Sequence, residues 1–205
     1  DDALNGMATT ITLIKMIGDE AVIGQAGDSR VYSKTESGEL RALTLDNNEA
    51  IEDVLKNIGE EAAFVFQQTV DELNKASEWA AFKLKTDEEL KGLDFSPEEI
   101  QIFHDNKDAF DAPIPLYFQF RNAITASAGE GGRVDVYEMK GKKELILTSD
   151  GIHDNLKRKE IKIILSGRYE DLEDVELREG LKGITDPMEA LTKAALIRSK
   201  QKGNP

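Results

Sequence analysis

Strand-forming segments stand at two places far apart in this chain, residues 6–43 and 116–148, with an acidic stretch of helical character between them. The sheet begun in the first region therefore resumes in the second, after a long excursion. Residues 6–17 are rich in β-branched and apolar types, and Gly18-Asp19-Glu20 supplies a turn before Ala21-Val22-Ile23-Gly24-Gln25-Ala26. Further strands are expected at Arg30–Ser33 and at Leu40–Leu43, either side of the Glu36-Ser37-Gly38-Glu39 turn, so the first forty residues read as a β-meander.

From Asn48 the period changes. Ile51, Val54, Leu55 and Ile58 fall at helical spacing, and Gly59 is a C-terminal stop. Residues 60–84 carry apolar groups at Phe64, Val65, Val70, Leu73, Trp79 and Phe82, which fits one further helix or two short ones; the aromatic residues read as core. Ser96-Pro97-Glu98-Glu99 predicts a helix over 97–106, with Ser96 as cap, Pro97 in the first turn and Glu99 closing a capping box. Residues 87–111 hold nine acidic side chains against two lysines and lead to Pro113 and Pro115, which reads as a surface excursion ending in extended or turning chain. Strands are then expected at Leu116–Phe120, Ala123–Ala126, Val134–Glu138 and Glu144–Thr148, with turns at Gly131-Gly132 and Lys140-Gly141-Lys142. Helices over about 157–166 and 187–200 close the chain, and no internal repeat is present.

Composition excludes several functions. With no cysteine among 205 residues there is no disulfide framework, no thiolate zinc site and no cysteine nucleophile. A formal charge of −14 argues against nucleic acid or an anionic membrane as the main partner and suits solubility or bound cations. No apolar run approaches the roughly 20 residues that span a bilayer, and Asp1-Asp2 is unlike the basic start of a signal peptide, so a cytoplasmic protein is expected.

The segment Leu145-Ile146-Leu147-Thr148-Ser149-Asp150-Gly151-Ile152-His153-Asp154 is an apolar strand running into an acidic turn. A strand that delivers Asp150 at its exposed end, with Gly151 permitting close backbone approach, holds a carboxylate rigidly against a hard cation; taken alone, an Asp-Gly turn accounts for it as well. Ala26-Gly27-Asp28-Ser29-Arg30-Val31-Tyr32 also places an acidic residue between two strands. By itself it is a common turn, with Arg30 pairing a surface carboxylate.

In this order the segments resemble the PP2C-like metal-dependent protein serine/threonine phosphatases. That family shows a Gly-x-x-Thr-Thr strand, a Gly-Asp-Ser-Arg hairpin and a Leu-x-x-x-Ser-Asp-Gly strand end, matched here by Gly6–Thr10, Gly27–Arg30 and Leu145–Asp154. Leu43-Thr44-Leu45-Asp46 and Arg121–Gly129 echo two further motifs, although Asn47 stands where members usually carry histidine. The resemblance implies an α+β fold of two packed antiparallel sheets flanked by helices, as one domain over 1–205 with a variable flap insertion at about 60–115. It implies hydrolysis of phosphoserine and phosphothreonine in phosphoprotein substrates by a water bridging Mn2+ or Mg2+ ions. Asp150 would be a ligand of the metal pair, and Asp28 with Asp150 would form a third metal site. Asp154 either caps a helix or joins the site, and His153 shapes the site's edge.

The family's opening Arg/Glu and Asp-Gly-x-Gly-Gly motifs and its closing Asp-Asn pair do not occur in the 205 residues. Both ends therefore read as cut, with exposed sheet edges and a poor catalyst as consequences, because one bridging aspartate supplies too little negative charge for two cations. The competing reading is a catalytically inactive, phosphatase-like binding or regulatory module that engages a partner through its acidic flap. A calcium-binding loop of Asp-x-Asp-x-Asp-Gly type is absent.

Overall fold

The computed structural model describes residues 9–35, 38–121, 123–127, 134–141 and 144–202, and its strands form two three-stranded antiparallel sheets. In one, β2 (Glu20–Ala26) lies between β1 (Ile11–Ile17) and β5 (Asp135–Met139). In the other, β3 (Arg30–Lys34) lies between β4 (Leu40–Ala42) and β6 (Glu144–Thr148). Sequence-distant strands thus complete both sheets, as the split strand pattern requires. The first four strands are not a single meander, however, because the chain leaves one sheet and enters the other at Gly27-Asp28-Ser29. Gly27 has φ +117°, and its N–H and C=O are bonded to Asn47 instead of to a neighbouring strand. Residues 6–8 of the expected first strand, Asn122, and the expected turns at Glu36-Ser37, Gly131-Gly132 and Lys142 lie outside the described residues.

Between the two sets of strands the chain is helical: α1 (Glu49–Asn57), α2 (Glu60–Asp71), α3 (Trp79–Phe82), α4 (Asp87–Gly92), α5 (Pro97–Asn106) and α6 (Pro113–Gln119). The α5 capping box forms as read, with Ser96 Oγ accepting from the Glu99 amide at 3.2 Å and Glu99 Oε2 accepting from the Ser96 amide at 2.7 Å. Two expectations fail here. The run at 116–120 is the end of a helix, not a strand: Pro113 and Pro115 sit in the first turn, where a missing N–H costs nothing, and Ile114 and Tyr117 point into an aromatic core. No strand forms at Ala123–Ala126 either. The acidic stretch 87–111 is likewise more than a surface excursion. Its Leu90, Phe103 and Phe110 are fully buried, and Phe110 meets Phe66 edge to face with centroids 5.2 Å apart. At roughly 1.5–3 kcal/mol for each large apolar side chain buried, these residues give the helical segment a core of its own.

Four further helices, α7 (Asp150–His153), α8 (Arg158–Leu165), α9 (Val175–Gly180) and α10 (Pro187–Gln201), build a second core with Tyr32 and Ile146. The two cores meet across a seam of charge. Arg30 reaches Asp71 at 2.6 Å, Lys157 reaches Glu72 at 2.8 Å, Arg158 reaches Glu99 at 2.8 Å, and Lys162 reaches Asp94 at 2.8 Å. Asp94 itself adopts φ +69°, a strained choice for a residue with a Cβ, and its carboxylate and carbonyl are both held by cations from α8.

Candidate active site

Register places the two sequence-predicted aspartates together. In the β3–β6 pair Arg30 lies opposite Thr148, and the strands are antiparallel. Asp28, which precedes Arg30, and Asp150, which follows Thr148, therefore leave the sheet at the same edge. Both line a cleft of about 100 Å³ together with Asp46, Tyr117, Arg121 and Asp154.

The turn that carries Asp28 is fixed from both sides. A Cβ on Gly27 would stand 2.5 Å from Thr10 Cγ2, so only glycine allows this approach, and the Ser29 and Thr10 hydroxyls lie 3.2 Å apart. Asn47 acts as the clamp: its Oδ1 accepts from the Gly27 amide at 2.7 Å, its own amide donates to the Gly27 carbonyl at 3.0 Å, and its Nδ2 donates to Asp135 at 2.7 Å. On the other side β6 stops at Thr148, the Ser149 carbonyl accepts the Ile152 amide at 2.9 Å to open α7, and Asp150 Oδ1 accepts from the Gly151 amide at 2.7 Å.

Charge is balanced unequally across the cleft. Arg30, read from sequence as a surface pair, is 1% exposed and binds Asp46 through two nitrogens at 2.8 and 2.7 Å, so Asp46 is fully engaged. Asp154 accepts from Arg121 at 3.2 Å. Among the described residues Asp28 has no such partner; burial, then the like charges of Asp46, Asp150 and Asp154, raise its pKa from the ordinary aspartate value. His153 is buried and bonded through Nδ1 to the Thr148 hydroxyl at 3.1 Å. Burial, then Arg30 and Arg121, hold it well below the usual histidine range, so it stays neutral and acts as a strut at the cleft's edge.

No protein-family model and no curated protein matches the sequence. Among solved structures the chain is similar to the serine/threonine phosphatase of S. agalactiae, with 20% identity and a TM-score of 0.51 over 97% of this chain and 57% of that one. It is also similar to the serine/threonine phosphatase Stp1 from Staphylococcus aureus, with 22% identity and a TM-score of 0.51 over 97% and 54% of the respective chains. The chain has the fold of these phosphatases. It spans a little more than half of their length, 57% and 54%.

Within this phosphatase fold, Asp28 and Asp150 are two oxygen donors beside an uncompensated charge, which suits a hard divalent cation. Mg2+ in particular keeps several waters and needs only one or two protein carboxylates. Among the described residues no group of three or more histidine, aspartate or glutamate side chains gathers as a metal cluster. Two carboxylates without a cationic partner are thus the most that the described residues bring to one ion there. Sequence reasoning missed Asn47 as the clamp and Arg121 as a cleft wall, and it gave Arg30 the wrong environment. The one available signal was that Arg30 and Asp46 both fall inside family-like motifs.

Proposed function

We propose that this chain is part of a PP2C-like protein serine/threonine phosphatase, in which Asp28 and Asp150 hold a Mn2+ or Mg2+ ion and the substrate is a phosphoserine or phosphothreonine protein. The observation that supports the reading is the β3–β6 register, which sets two carboxylates at one sheet edge, where Asp28 is crowded by like charge with no cation beside it among the described residues. A bound divalent ion would supply an acidified water and neutralise charge on phosphoryl oxygens. The chain's own residues supply position. Arg30 removes Asp46 from competition, Asn47 fixes the Gly27 turn, and neutral His153 supports the start of α7 without adding charge. In this proposal residues 1–205 form one domain, the helical stretch 60–115 is its insertion, and the protein works in the cytoplasm; among the described residues no helix is long and apolar enough to cross a membrane.

A specific observation favours the competing reading of an inactive binding module: only two of the gathered carboxylates are uncommitted. Manganese titration separates the two. An ion at 100 times its dissociation constant stabilises by about 2.7 kcal/mol, a rise in melting temperature of roughly 5–10 °C for a domain of this size. That rise, lost in Asp150→Ala, with manganese-dependent hydrolysis of a phosphothreonine peptide, supports the enzyme. A melting temperature indifferent to manganese, without turnover, sinks it.

A further inference from the structure

A second cleft, of about 320 Å³, adjoins the acidic one and shares Arg121, His153 and Asp154 with it. On a chain of formal charge −14 its lining is unusual: four cations, Arg121, Lys157, Arg198 and Lys202, face three carboxylates, Asp71, Asp154 and Glu160. Most of these charges are settled by neighbours. Lys157 binds Glu72 at 2.8 Å, Arg198 is held by Asp174 and Glu160, and Asp71 belongs to Arg30.

Arg121 and Lys202 are left to share Asp154. Arg121 gives it one terminal nitrogen at 3.2 Å, long for a charged pair, and its Nε is buried with no acceptor among the described residues. Among the described residues the Lys202 ammonium reaches the main-chain carbonyl of Asp154, at 2.6 Å. Partial burial, then the like charge of Arg121, holds this lysine below the usual lysine range. Two cations thus converge on Asp154, one on its carboxylate and one on its carbonyl, and the guanidinium of the first keeps an N–H without an acceptor among the described residues. An oxyanion with several acceptor oxygens meets both needs, and a guanidinium fork matches phosphate geometry in particular.

We propose that this second cleft is the phosphate anchor of the site: Arg121 and Lys202 bind the dianionic oxygens of a phosphate monoester and hold it against the wall shared with Asp28 and Asp150. The identity of the anion as a phosphoester rests on the phosphatase reading; the anion site itself rests on the two cations and the orphaned Nε. Arg121 and Lys202 are positioning residues, since neither forms nor breaks a bond.

The test uses the intact chain in buffer free of divalent ions, with inorganic phosphate as probe, following the Arg121 Nε–H resonance by NMR. Phosphate should move that resonance, and affinity should fall about tenfold in Arg121→Gln and severalfold in Lys202→Ala while persisting in Asp150→Ala. Lys202→Ala sits at the end of α10 and removes one bond to a carbonyl, so it reports on binding even if Arg121→Gln unfolds. A resonance unmoved by phosphate, or affinity equal in protein and variants, overturns the proposal. Phosphate binding without any hydrolysis removes the enzyme reading and leaves the anchor standing. Manganese-dependent hydrolysis indifferent to Arg121→Gln and Lys202→Ala does the reverse.

Discussion

Replacing Arg30 by methionine removes the cation that two buried carboxylates share. The guanidinium contacts Asp46 at 2.8 and 2.7 Å and Asp71 at 2.6 and 3.1 Å. Deleting one partner of a buried pair costs about 3–5 kcal/mol, because the surviving charge is left uncompensated. Two survivors raise that figure, whereas the 17% exposure of the Asp71 side chain lets water relieve part of it, and methionine refills most of the volume. Arg30→Met should therefore cost about 4 kcal/mol, a large share of the roughly 5–15 kcal/mol that holds a domain folded. The melting temperature should drop by roughly 8–16 °C. Urea unfolding followed by far-UV circular dichroism and by fluorescence of Trp79, the single tryptophan, reads it as a lower midpoint at unchanged slope. Because the cost lies in orphaned carboxylates, Arg30→Met/Asp71→Asn should recover on the order of 1–2 kcal/mol. A loss below about 1 kcal/mol, or a double variant no more stable than the single, would refute the reasoning.

Gly27→Ala forces a Cβ to 2.5 Å from Thr10 Cγ2 at φ +117°, so it should destabilise by more than about 2 kcal/mol in chemical denaturation; a neutral result would mean that the turn does not touch Thr10. Burial raises Asp71 to about 6 against the pull of Arg30, so the folded state binds a proton more tightly than the unfolded chain. That contribution is full below the unfolded value of 3.8 and is lost as pH rises through about 6, at most about 3 kcal/mol; melting curves of the protein and Asp71→Asn should diverge over this window, and parallel curves would contradict the assignment. Asp28, also raised, costs stability at neutral pH, so Asp28→Asn should leave the metal-free protein equally or slightly more stable, by less than about 1 kcal/mol after solvent screening, while abolishing any stabilisation by manganese. Calorimetry with and without the ion checks both halves.

Where the sequence carried a physical signal that depends on neighbours in the chain, reading it succeeded. The Ser96/Glu99 capping box is such a signal, and so is the apolar run of β6 ending at Asp150. Errors arose where distant contacts decide. Leu116–Phe120 is a short apolar run whose period fits strand or helix alike, and the core around Phe66 and Tyr117 selects the helix. The β-meander failed because the turn at Gly27 is held by Asn47, twenty residues on, and by Thr10. Acidity misled at 87–111, where Leu90, Phe95, Ile100 and Phe103 turn inward while the carboxylates stay outside or cross the seam to Arg158 and Lys162.

The acidity of the chain as a whole does not explain the crowding at Asp28. Asp46 and Asp71 are largely buried, with side chains 8% and 17% exposed, and the fold supplies them with Arg30. Asp94 receives Lys162 and Arg158, Glu99 receives Arg158, and Glu72 receives Lys157. A sequence that places a cation against each of these groups is capable of placing one against Asp28, yet there burial and three like charges act together with no cation among the described residues to oppose them. Arg121 lines the acidic cleft but is paired with Asp154, and Lys202 stands in the adjoining cleft, bonded to the main-chain carbonyl of Asp154. A cleft rich in carboxylates and one rich in cations thus adjoin at Arg121 and Asp154, which line both. In the proposed reading a phosphoester carried on a divalent ion would settle both at once: Asp28 and Asp150 would hold the ion, Arg121 and Lys202 the phosphoryl oxygens, and each half would lower the electrostatic cost of the other.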